Sequence, residues 1–339
     1  MPPSSMELID RELLNVIQAG FPLTGRPYRE IGEQLGIDEA EVLDRIAALK
    51  KANVVRQISA IFDTRRLGYS SSLVAMRLRE DEIEEAARIV NRHPGVSHNY
   101  GRDGYFNLWF TLAVPPGEDL DAVMERMAKE TGALATRALP TIRFFKIGVN
   151  FDMVRGEGNA PESAVLPPPL VPDAASNDGP GASRPVTETD IAAIRELQED
   201  LEVTPRPFDA MARRLGVPLE ELFAHAEDFR ERKLMRRFSA VLHHRRAGFS
   251  ANAMAVWKVP PERAEEAGVL MAESPAVTHC YQRPTFPDWE YSHFTMIHAT
   301  SRAKCEEVAR GISEATGITD YELLYSTREY KKTRVRYFV

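Results

Sequence analysis

The 339-residue sequence lacks several features that would assign it to a special class of protein. It has only two cysteines, Cys280 and Cys305, which excludes a disulfide framework and a four-thiolate metal site. No apolar run reaches about 18 residues, so we expect no membrane-spanning segment and no membrane partner. The N-terminus has no basic start followed by an apolar stretch, so we expect a cytoplasmic protein without a secretion signal.

An excess of positive charge is also missing. The formal net charge is −7 and the isoelectric point is about 5.7. Proteins that bind nucleic acid usually carry a basic balance, because they must neutralise phosphates. The overall charge therefore weighs against nucleic acid as a partner, although a local basic patch would still be compatible with it.

An internal repeat is the most informative feature that is present. Residues 53–76 align with residues 233–256 at an offset of 180. The positions that meet an identical residue in the second copy are Arg56, Ser59, Ala60, Arg65, Arg66, Gly68, Ser70 and Ala75. A collinear series of matches indicates duplication of one structural unit. The stretch 155–186 between the copies is rich in Pro, Gly, Ser and Ala, which predicts a linker without a core of its own.

Each copy has a helical part followed by an α/β part. Three short helices and a β-ribbon predict a winged helix-turn-helix, and the order strand, helix, strand, strand, helix, strand predicts a ferredoxin-like βαββαβ domain. The predicted fold is therefore α+β, a tandem duplication with the layout of Lrp/AsnC regulators. The predicted segments are a winged helix-turn-helix at 1–62, an α/β domain at 63–154, the linker at 155–186, a second winged helix-turn-helix at 187–242 and a second α/β domain at 243–339. Fusion of two copies would let the chain form an internal pseudo-dimer, and the pattern also allows a homodimer.

Local signals set some of the expected boundaries. Asp10 and Asp38 are predicted to cap the first and third helices, because carboxylates accept hydrogen bonds from free N–H groups there. Residues 54–62 are predicted to form a ribbon within their own unit. The last strand of the first α/β domain is predicted at 142–151, and its counterpart in the second domain near 321–328.

The helix that would read DNA carries negative charge in both copies. In the first copy its start is Asp38-Glu39-Ala40-Glu41, and in the second it is Pro218-Leu219-Glu220-Glu221. The reading helix presents its N-terminal residues to the bases, where these carboxylates would repel phosphates. We therefore expect no DNA partner and predict that both helix-turn-helix units serve packing or subunit contact.

A His-x-Tyr-x-Arg motif occurs once in each α/β domain, as His98, Tyr100 and Arg102 and as His279, Tyr281 and Arg283. Alternate residues of a strand share one face, so each strand would present an imidazole, a phenol and a guanidinium together. Histidine can ligate iron or transfer protons near neutral pH, and arginine can hold carboxylates. A buried polar network at a domain interface is the alternative interpretation.

The sequences around these motifs resemble siroheme decarboxylases. Residues 96–112 resemble one subunit type of that family and residues 278–298 resemble its partner type, with a departure at Glu290. The resemblance implies a carboxy-lyase that removes CO₂ from two acetate side chains of siroheme, giving 12,18-didecarboxysiroheme for haem or haem d1 biosynthesis. It implies no cofactor, because the iron tetrapyrrole is itself the substrate. An Lrp/AsnC-like transcription regulator and a haem-binding sensor or carrier remain as alternatives.

The resemblance also suggests roles for individual residues. His98, His279, Tyr100 and Tyr281 are predicted to be catalytic, with His98 or His279 contacting the substrate iron. The residues predicted to bind the substrate are Arg102, Arg283, Lys146, Trp109 and Trp289, with Arg143, Lys331 and Arg334 as further basic candidates. Core packing is an equally good explanation for the two tryptophans. Of His293 and His298, which alternate along one strand, at most one can share the cleft.

Overall fold

The structure is a computed structural model that describes residues 6–147, 151–152, 157–158, 184–242 and 251–339. Most of the predicted linker at 155–186 lies outside these residues, and so do parts of the predicted boundaries at 154 and 243. Within the described residues the two halves of the chain repeat the same order of elements, as the internal repeat predicts.

The first half contains five helices and eight strands among its described residues. The helices are α1 (Leu8–Ala19), α2 (Pro27–Leu35), α3 (Glu39–Lys51), α4 (Ile83–Asn91) and α5 (Leu120–Thr131). The strands are β1 (Val55–Phe62), β2 (Ser70–Arg77), β3 (Val96–Arg102), β4 (Leu108–Val114), β5 (Ala135–Leu139), β6 (Arg143–Ile147), β7 (Phe151–Asp152) and β8 (Glu157–Gly158).

The second half contains the corresponding helices and five strands in its described part. The helices are α6 (Glu188–Leu197), α7 (Phe208–Leu215), α8 (Leu219–Glu231), α9 (Ala264–Glu273) and α10 (Arg302–Thr316). The strands are β9 (Met235–Leu242), β10 (Ala251–Trp257), β11 (Val277–Gln282), β12 (His293–Ala299) and β13 (Tyr321–Lys332). No helix in the described ranges is long and apolar enough to cross a bilayer.

Of the two predicted helix caps, the structure confirms Asp38 and contradicts Asp10. The Asp38 side chain accepts a hydrogen bond from the Glu41 N–H at 2.7 Å, so it caps α3 as predicted. The prediction for Asp10 is wrong, because α1 already begins at Leu8 and Asp10 lies in its first turn. There the Asp10 carboxylate accepts a hydrogen bond from Arg45 of α3 at 2.9 Å, which ties the two helices together.

The predicted ribbon is shared between the two halves instead of lying within each of them. Strand β1 pairs antiparallel with β9, with Ser59 opposite Ser239 near the centre. Phe21 of the first unit donates its backbone N–H to the carbonyl of Phe238 at 2.8 Å. The buried apolar residues of both helix-turn-helix units therefore form one continuous core, to which Tyr337 near the C-terminus also belongs.

The remaining long strands form one sheet of nine, in the order β5-β2-β4-β3-β13-β10-β12-β11-β6. Numbered within its own domain, each half contributes its strands in the order 4-1-3-2, which is the ferredoxin-like arrangement that the sequence predicts. Helices α4 and α5 cover one face of the first half, and α9 and α10 cover the equivalent face of the second half. The predicted fold class is thus confirmed.

The prediction for the last strand of the first domain is wrong. Strand β5, at Ala135–Leu139, completes the first domain by pairing with β2, whereas the predicted strand at 142–151 begins as β6 and pairs with β11 of the other half. Pro140 has no N–H to donate, which separates the two strands. The second half makes the reciprocal exchange, because the end of β13 extends beyond the predicted strand and pairs with β3.

In each half, the face of the sheet that the helices leave uncovered packs against the same face of the other half. Strands β5 and β6 lie at opposite ends of the sheet, although only residues 140–142 separate them in the chain. Four residue steps span at most about 14 Å, so the sheet must curl until its ends approach each other. The enclosed core contains side chains from both halves, among them Phe106, Trp109, Trp289, Phe294 and Leu324.

Candidate active site

Strand β3 presents His98, Tyr100 and Arg102 on one face, as strand alternation predicts. The His98 and Tyr100 rings lie 6.3 Å apart, and the Arg102 guanidinium lies 5.5 Å from the centre of the Tyr100 ring. Asn99 between them points to the helix layer, where its amide donates to the Ala87 carbonyl at 3.3 Å. The three functional side chains therefore face the other half of the molecule.

Strand β11, together with Arg283 directly after it, repeats this arrangement with His279 and Tyr281. Its histidine and tyrosine rings lie 5.8 Å apart, and the arginine lies 5.0 Å from the tyrosine ring. Cys280 between them is fully buried in the helix-side core of the second half. The duplicated motif thus yields two similar faces within one chain, related by the pseudo-symmetry of the repeat.

The two histidines are held in the same way. A hydroxyl of the preceding residue lies 2.9 Å from the Nδ1 atom of each ring, Ser97 beside His98 and Thr278 beside His279. Burial, as the largest cause, lowers the pKa of both imidazoles to about 4, so both are neutral at pH 7. With Nδ1 engaged, Nε2 is the atom of each ring that remains for iron or for proton transfer.

A third histidine, His298 of β12, joins this face. Besides burial, the neighbouring His298 and His98 rings lower the pKa of His279, and Lys332 lowers the pKa of both His98 and His298. The sequence left the choice between His293 and His298 open, and the structure places His293 on the helix side. No cluster of three or more His, Cys, Asp or Glu in the described ranges is arranged to hold a metal ion.

His293 instead belongs to the core of the second half. Its Nε2 atom lies 2.9 Å from the Ala264 carbonyl at the start of α9, and its ring stacks on Phe145. The alternation of side chains along β12 is the signal that separates the two histidines. Only the tertiary packing shows which of the two faces is the cleft.

Arg102 and Arg283, the arginines of the two His-Tyr-Arg motifs, are cations held away from bulk solvent. Arg102 donates from Nη1 to the Leu324 carbonyl at 2.8 Å, and Arg283 makes the equivalent bond to the Leu139 carbonyl. Burial lowers the pKa of each guanidinium to about 10. The Nε atom of each is buried without a hydrogen-bond partner in the described part of the chain. Both arginines therefore retain capacity to hold an anion on this face.

A cavity of about 530 Å³ opens beside His98. It lies where the β1–β9 ribbon, the start of β3 and the C-terminal residues meet. Its lining residues are Arg56, Gln57, Ala60, Ile61, Phe62, Ser97, His98, Gln198, Glu199, Asp200, Thr333, Arg334, Val335, Arg336 and Tyr337. This volume lies in the range of small-molecule sites.

Three of the four basic candidates do not face the cleft. Lys146 donates to the Ser274 carbonyl at the end of α9 at 2.9 Å, and Lys331 donates to the Asn91 carbonyl at the end of α4 at 2.9 Å. Each lysine thus caps a helix of the opposite half, where a cation is favoured. Arg143 forms an ion pair with Glu265. Among these candidates, only Arg334 lines the cavity.

Trp109 and Trp289, which were predicted to bind the substrate, lie next to each other in a buried cluster. Their side chains are buried, with only 1% and 3% of their surface exposed, and their rings lie 5.3 Å apart in the core between the two halves. The Trp109 indole N–H donates to the Phe106 carbonyl at 2.8 Å. Core packing, the alternative interpretation of both residues, agrees with these contacts.

We expect the protein to lose stability as the pH falls from about 6.5 towards 4. The pKa values of His98, His279, His293 and His298 are lowered to about 4, whereas an exposed histidine titrates near 6.5. In that window the unfolded chain binds more protons than the folded one, so the free energy of unfolding decreases by roughly 1 to 2 kcal/mol per histidine at pH 5.

Urea unfolding at pH 7 and pH 5 measures this effect. His298→Gln removes one titrating group, so the variant should show a smaller difference between the two pH values than the parent protein. Equal unfolding midpoints of the parent protein at both pH values would contradict the expectation.

Comparison with known proteins agrees with the duplicated architecture. A family model described as the siroheme decarboxylase NirDL-like HTH domain matches residues 10–56 and 190–236, and a model of the AsnC-like ligand binding domain matches residues 66–146 and 246–331. A siroheme decarboxylase from Hydrogenobacter thermophilus is 39% identical over 96% of this chain and 94% of its own length. This chain belongs to the siroheme decarboxylase family.

Other members of the siroheme decarboxylase family match either the whole of this chain or one unit of its repeat. The siroheme decarboxylase NirDL subunit from Paracoccus pantotrophus is 33% identical over 97% of both chains. The siroheme decarboxylase beta subunit from Methanosarcina barkeri is 46% identical, but it covers 44% of this chain and 98% of its own length. The size of that subunit therefore corresponds to a single unit of the repeat.

Solved structures support the same assignment. The crystal structure of the siroheme decarboxylase NirDL matches 98% of this chain and 94% of its own, with 34% identity and a TM-score of 0.75. A second structure of siroheme decarboxylase NirDL, in co-complex with an iron-uroporphyrin III analogue, matches with a TM-score of 0.74. The comparisons thus support an enzyme of this family and give no support to the alternative of a transcription regulator.

Proposed function

We propose that this protein decarboxylates siroheme at two acetate side chains and releases 12,18-didecarboxysiroheme as a precursor of haem or haem d1. The observation that carries the proposal is the pair of His-Tyr-Arg faces, on β3 and β11, in a chain of this family. Support for the substrate comes from the relative solved with an iron-uroporphyrin III analogue. The reaction makes the protein a carboxy-lyase.

The chemistry requires one proton for each acetate group. The bond between the methylene carbon and the carboxylate carbon breaks, CO₂ leaves, and the electron pair stays with the methylene carbon and the conjugated ring. A proton then converts that carbon to a methyl group. Because the macrocycle itself accepts the electrons during the step, we propose that no additional cofactor is needed.

The side chains of the two faces fit this reaction. A neutral imidazole can ligate iron, and His98 and His279 are both neutral at pH 7 because burial lowers their pKa. Burial raises the pKa of the Tyr281 phenol to about 12, so it keeps its proton and can donate it. We assign Tyr100 the same role, and we assign Arg102 and Arg283 to substrate carboxylates.

Burial also favours decarboxylation. A carboxylate that leaves water for a site with little solvent loses hydration, whereas the neutral CO₂ that it becomes has little hydration to lose. The buried guanidinium groups of Arg102 and Arg283 can hold carboxylates that do not react. The site would thus separate carboxylates that anchor the substrate from those that leave.

Anaerobic incubation with siroheme, followed by mass spectrometry of the tetrapyrrole, tests the proposal. We expect loss of two CO₂ units per macrocycle, and none with heat-denatured protein. An unchanged mass together with a shift of the Soret band would contradict decarboxylation and indicate a haem-binding carrier or sensor. Absence of binding would contradict both functions.

A further inference from the structure

The wall of the cavity beside His98 is rich in arginine, and the helix-turn-helix units supply part of it. Arg56 comes from β1 of the ribbon, whereas Arg334 and Arg336 follow β13 near the C-terminus. Arg237 of β9 lies close enough to lower the pKa of Arg334. Cations from three distant segments of the chain therefore meet next to a histidine of the candidate active site.

Arg56 and Arg334 are held by hydrogen bonds to neutral groups. The Arg56 guanidinium donates to the Lys332 carbonyl, and Arg334 donates from Nη1 to the Ser59 hydroxyl and the Ala60 carbonyl, both at 3.2 Å. Burial, followed by repulsion from Arg56 and Arg237, lowers the pKa of Arg334 to about 10. These bonds orient the guanidinium groups without neutralising their charge.

The carboxylates in the same wall already have other partners. Glu199 pairs with Arg336, and Asp200 accepts hydrogen bonds from Lys50 at 2.8 Å and from the Ile58 N–H at 2.9 Å. Within the described part of the chain, neither Arg56 nor Arg334 forms an ion pair with a carboxylate. Partly buried like charges without counter-ions are costly, so this arrangement favours an anionic ligand.

Among the described residues, the pseudo-symmetry does not repeat the arginine cluster. Lys146 and Lys331 cap equivalent helices, so the two lysines occupy equivalent positions in the two halves. Equivalent residues of the strands that contain them are therefore 185 positions apart in the sequence. At that offset Arg334 corresponds to Val149 in the sequence, which carries no charge. The ribbon equivalent of Arg56 is Arg236, whose guanidinium pairs with Asp63 at 2.7 Å. The cluster therefore belongs to the cleft beside His98.

We infer that Arg56 and Arg334 form a subsite that binds peripheral carboxylates of the substrate macrocycle. The helix-turn-helix units, whose helices carry acidic N-termini, thereby form a wall of the substrate site through their shared ribbon. The inference rests on the proposed function, because siroheme is a macrocycle with a rim of carboxylates. Arginine suits such groups, since its planar guanidinium can form two parallel hydrogen bonds with a carboxylate.

Titration of the full chain with siroheme and with protohaem, which has only two carboxylates, tests the subsite. We expect Arg56→Gln and Arg334→Gln each to weaken siroheme binding by about tenfold or more, because each removes charge-assisted hydrogen bonds. Protohaem binding should change much less. Arg88→Gln serves as the control, since it removes an exposed arginine that pairs with Glu85 on α4 and should leave the Kd for siroheme unchanged.

The outcomes separate this inference from simpler explanations. If both folded variants bind siroheme with the parental Kd, or lose siroheme and protohaem equally, the subsite is refuted. Arg334 is largely buried, so its variant is checked by thermal unfolding, and if it fails to fold Arg56→Gln alone decides. Siroheme binding that depends on Arg56 in a parent protein without CO₂ release would support the subsite and contradict the proposed function. CO₂ release together with siroheme binding that depends on neither arginine would support the proposed function and contradict the subsite.

Discussion

His98→Ala and His279→Ala are expected to reduce CO₂ release from siroheme by about 100-fold or more when they affect a productive site, because a positioned acid or base typically contributes that much. Both rings are anchored through Nδ1 by a neighbouring hydroxyl, and both are neutral at pH 7. The initial rate of CO₂ release under anaerobic conditions, at saturating siroheme, measures the loss in each variant.

A matched histidine provides the control for these variants. His225 lies on α8, where its ring packs near Phe229, and its replacement by Gln should leave the rate unchanged. The absorption spectrum of bound siroheme gives a second readout, since loss of an iron ligand shifts the Soret band whereas loss of a proton donor need not. Parental rates and spectra in both alanine variants would refute the role of these histidines.

The same pair of variants addresses whether the two halves are equivalent. His98 borders the cavity and the arginine cluster, whereas His279 lies nearer to His298. If each half removes one carboxyl group independently, each variant should accumulate a product that has lost a single CO₂. If both rings are needed together for each step on one macrocycle, either variant should abolish the first loss as well.

Trp109→Ala is expected to lower the free energy of unfolding by about 3 to 5 kcal/mol, the usual cost of removing a buried aromatic side chain. The Trp109 ring is 1% exposed and contacts Phe106, Trp289 and Phe294 in the core between the two halves. Removal would leave a cavity at the joint of the pseudo-dimer. Urea unfolding, monitored by far-ultraviolet circular dichroism, measures the change.

Two comparisons make this prediction specific. Trp109→Phe should cost less than the alanine variant, because most of the buried volume remains. Tyr105→Ala, which removes a neighbouring aromatic side chain that is 47% exposed, should change stability little. An unaltered unfolding midpoint in Trp109→Ala together with weaker siroheme binding would show that the substrate, not the core, uses this ring.

Features that depend on local pattern could be predicted from the sequence. The repeat follows from matched residues such as Arg56 and Gly68, and the order of helices and strands follows from the period of the apolar residues. The shared face of His98, Tyr100 and Arg102 follows from strand alternation, because neighbouring side chains of a strand must point in opposite directions. Contacts between distant segments are not needed for any of these conclusions.

Apart from the cap assigned to Asp10, the predictions that differ from the structure concern contacts between distant segments. Strand β6 was expected at the edge of its own domain, but it pairs with β11, since after Pro140 the chain can join either sheet and only the packing of the two halves selects one. The basic character of Lys146 suggested a substrate ligand, yet its position beside Cys280 turns it towards the helix layer, where it caps α9. A one-residue difference in register would have turned it to the opposite face.

The sequence by itself determined the duplicated α+β architecture, the likeness to siroheme decarboxylases and the two His-Tyr-Arg faces, because periodicity and residue type are encoded locally. The tertiary structure alone decided that one ribbon is shared by both helix-turn-helix units, that His298 and not His293 joins the cleft, and that Arg334 reaches the cavity. These outcomes depend on how sheets curl and pack against each other, which is a property of the whole chain and not of any one segment of it.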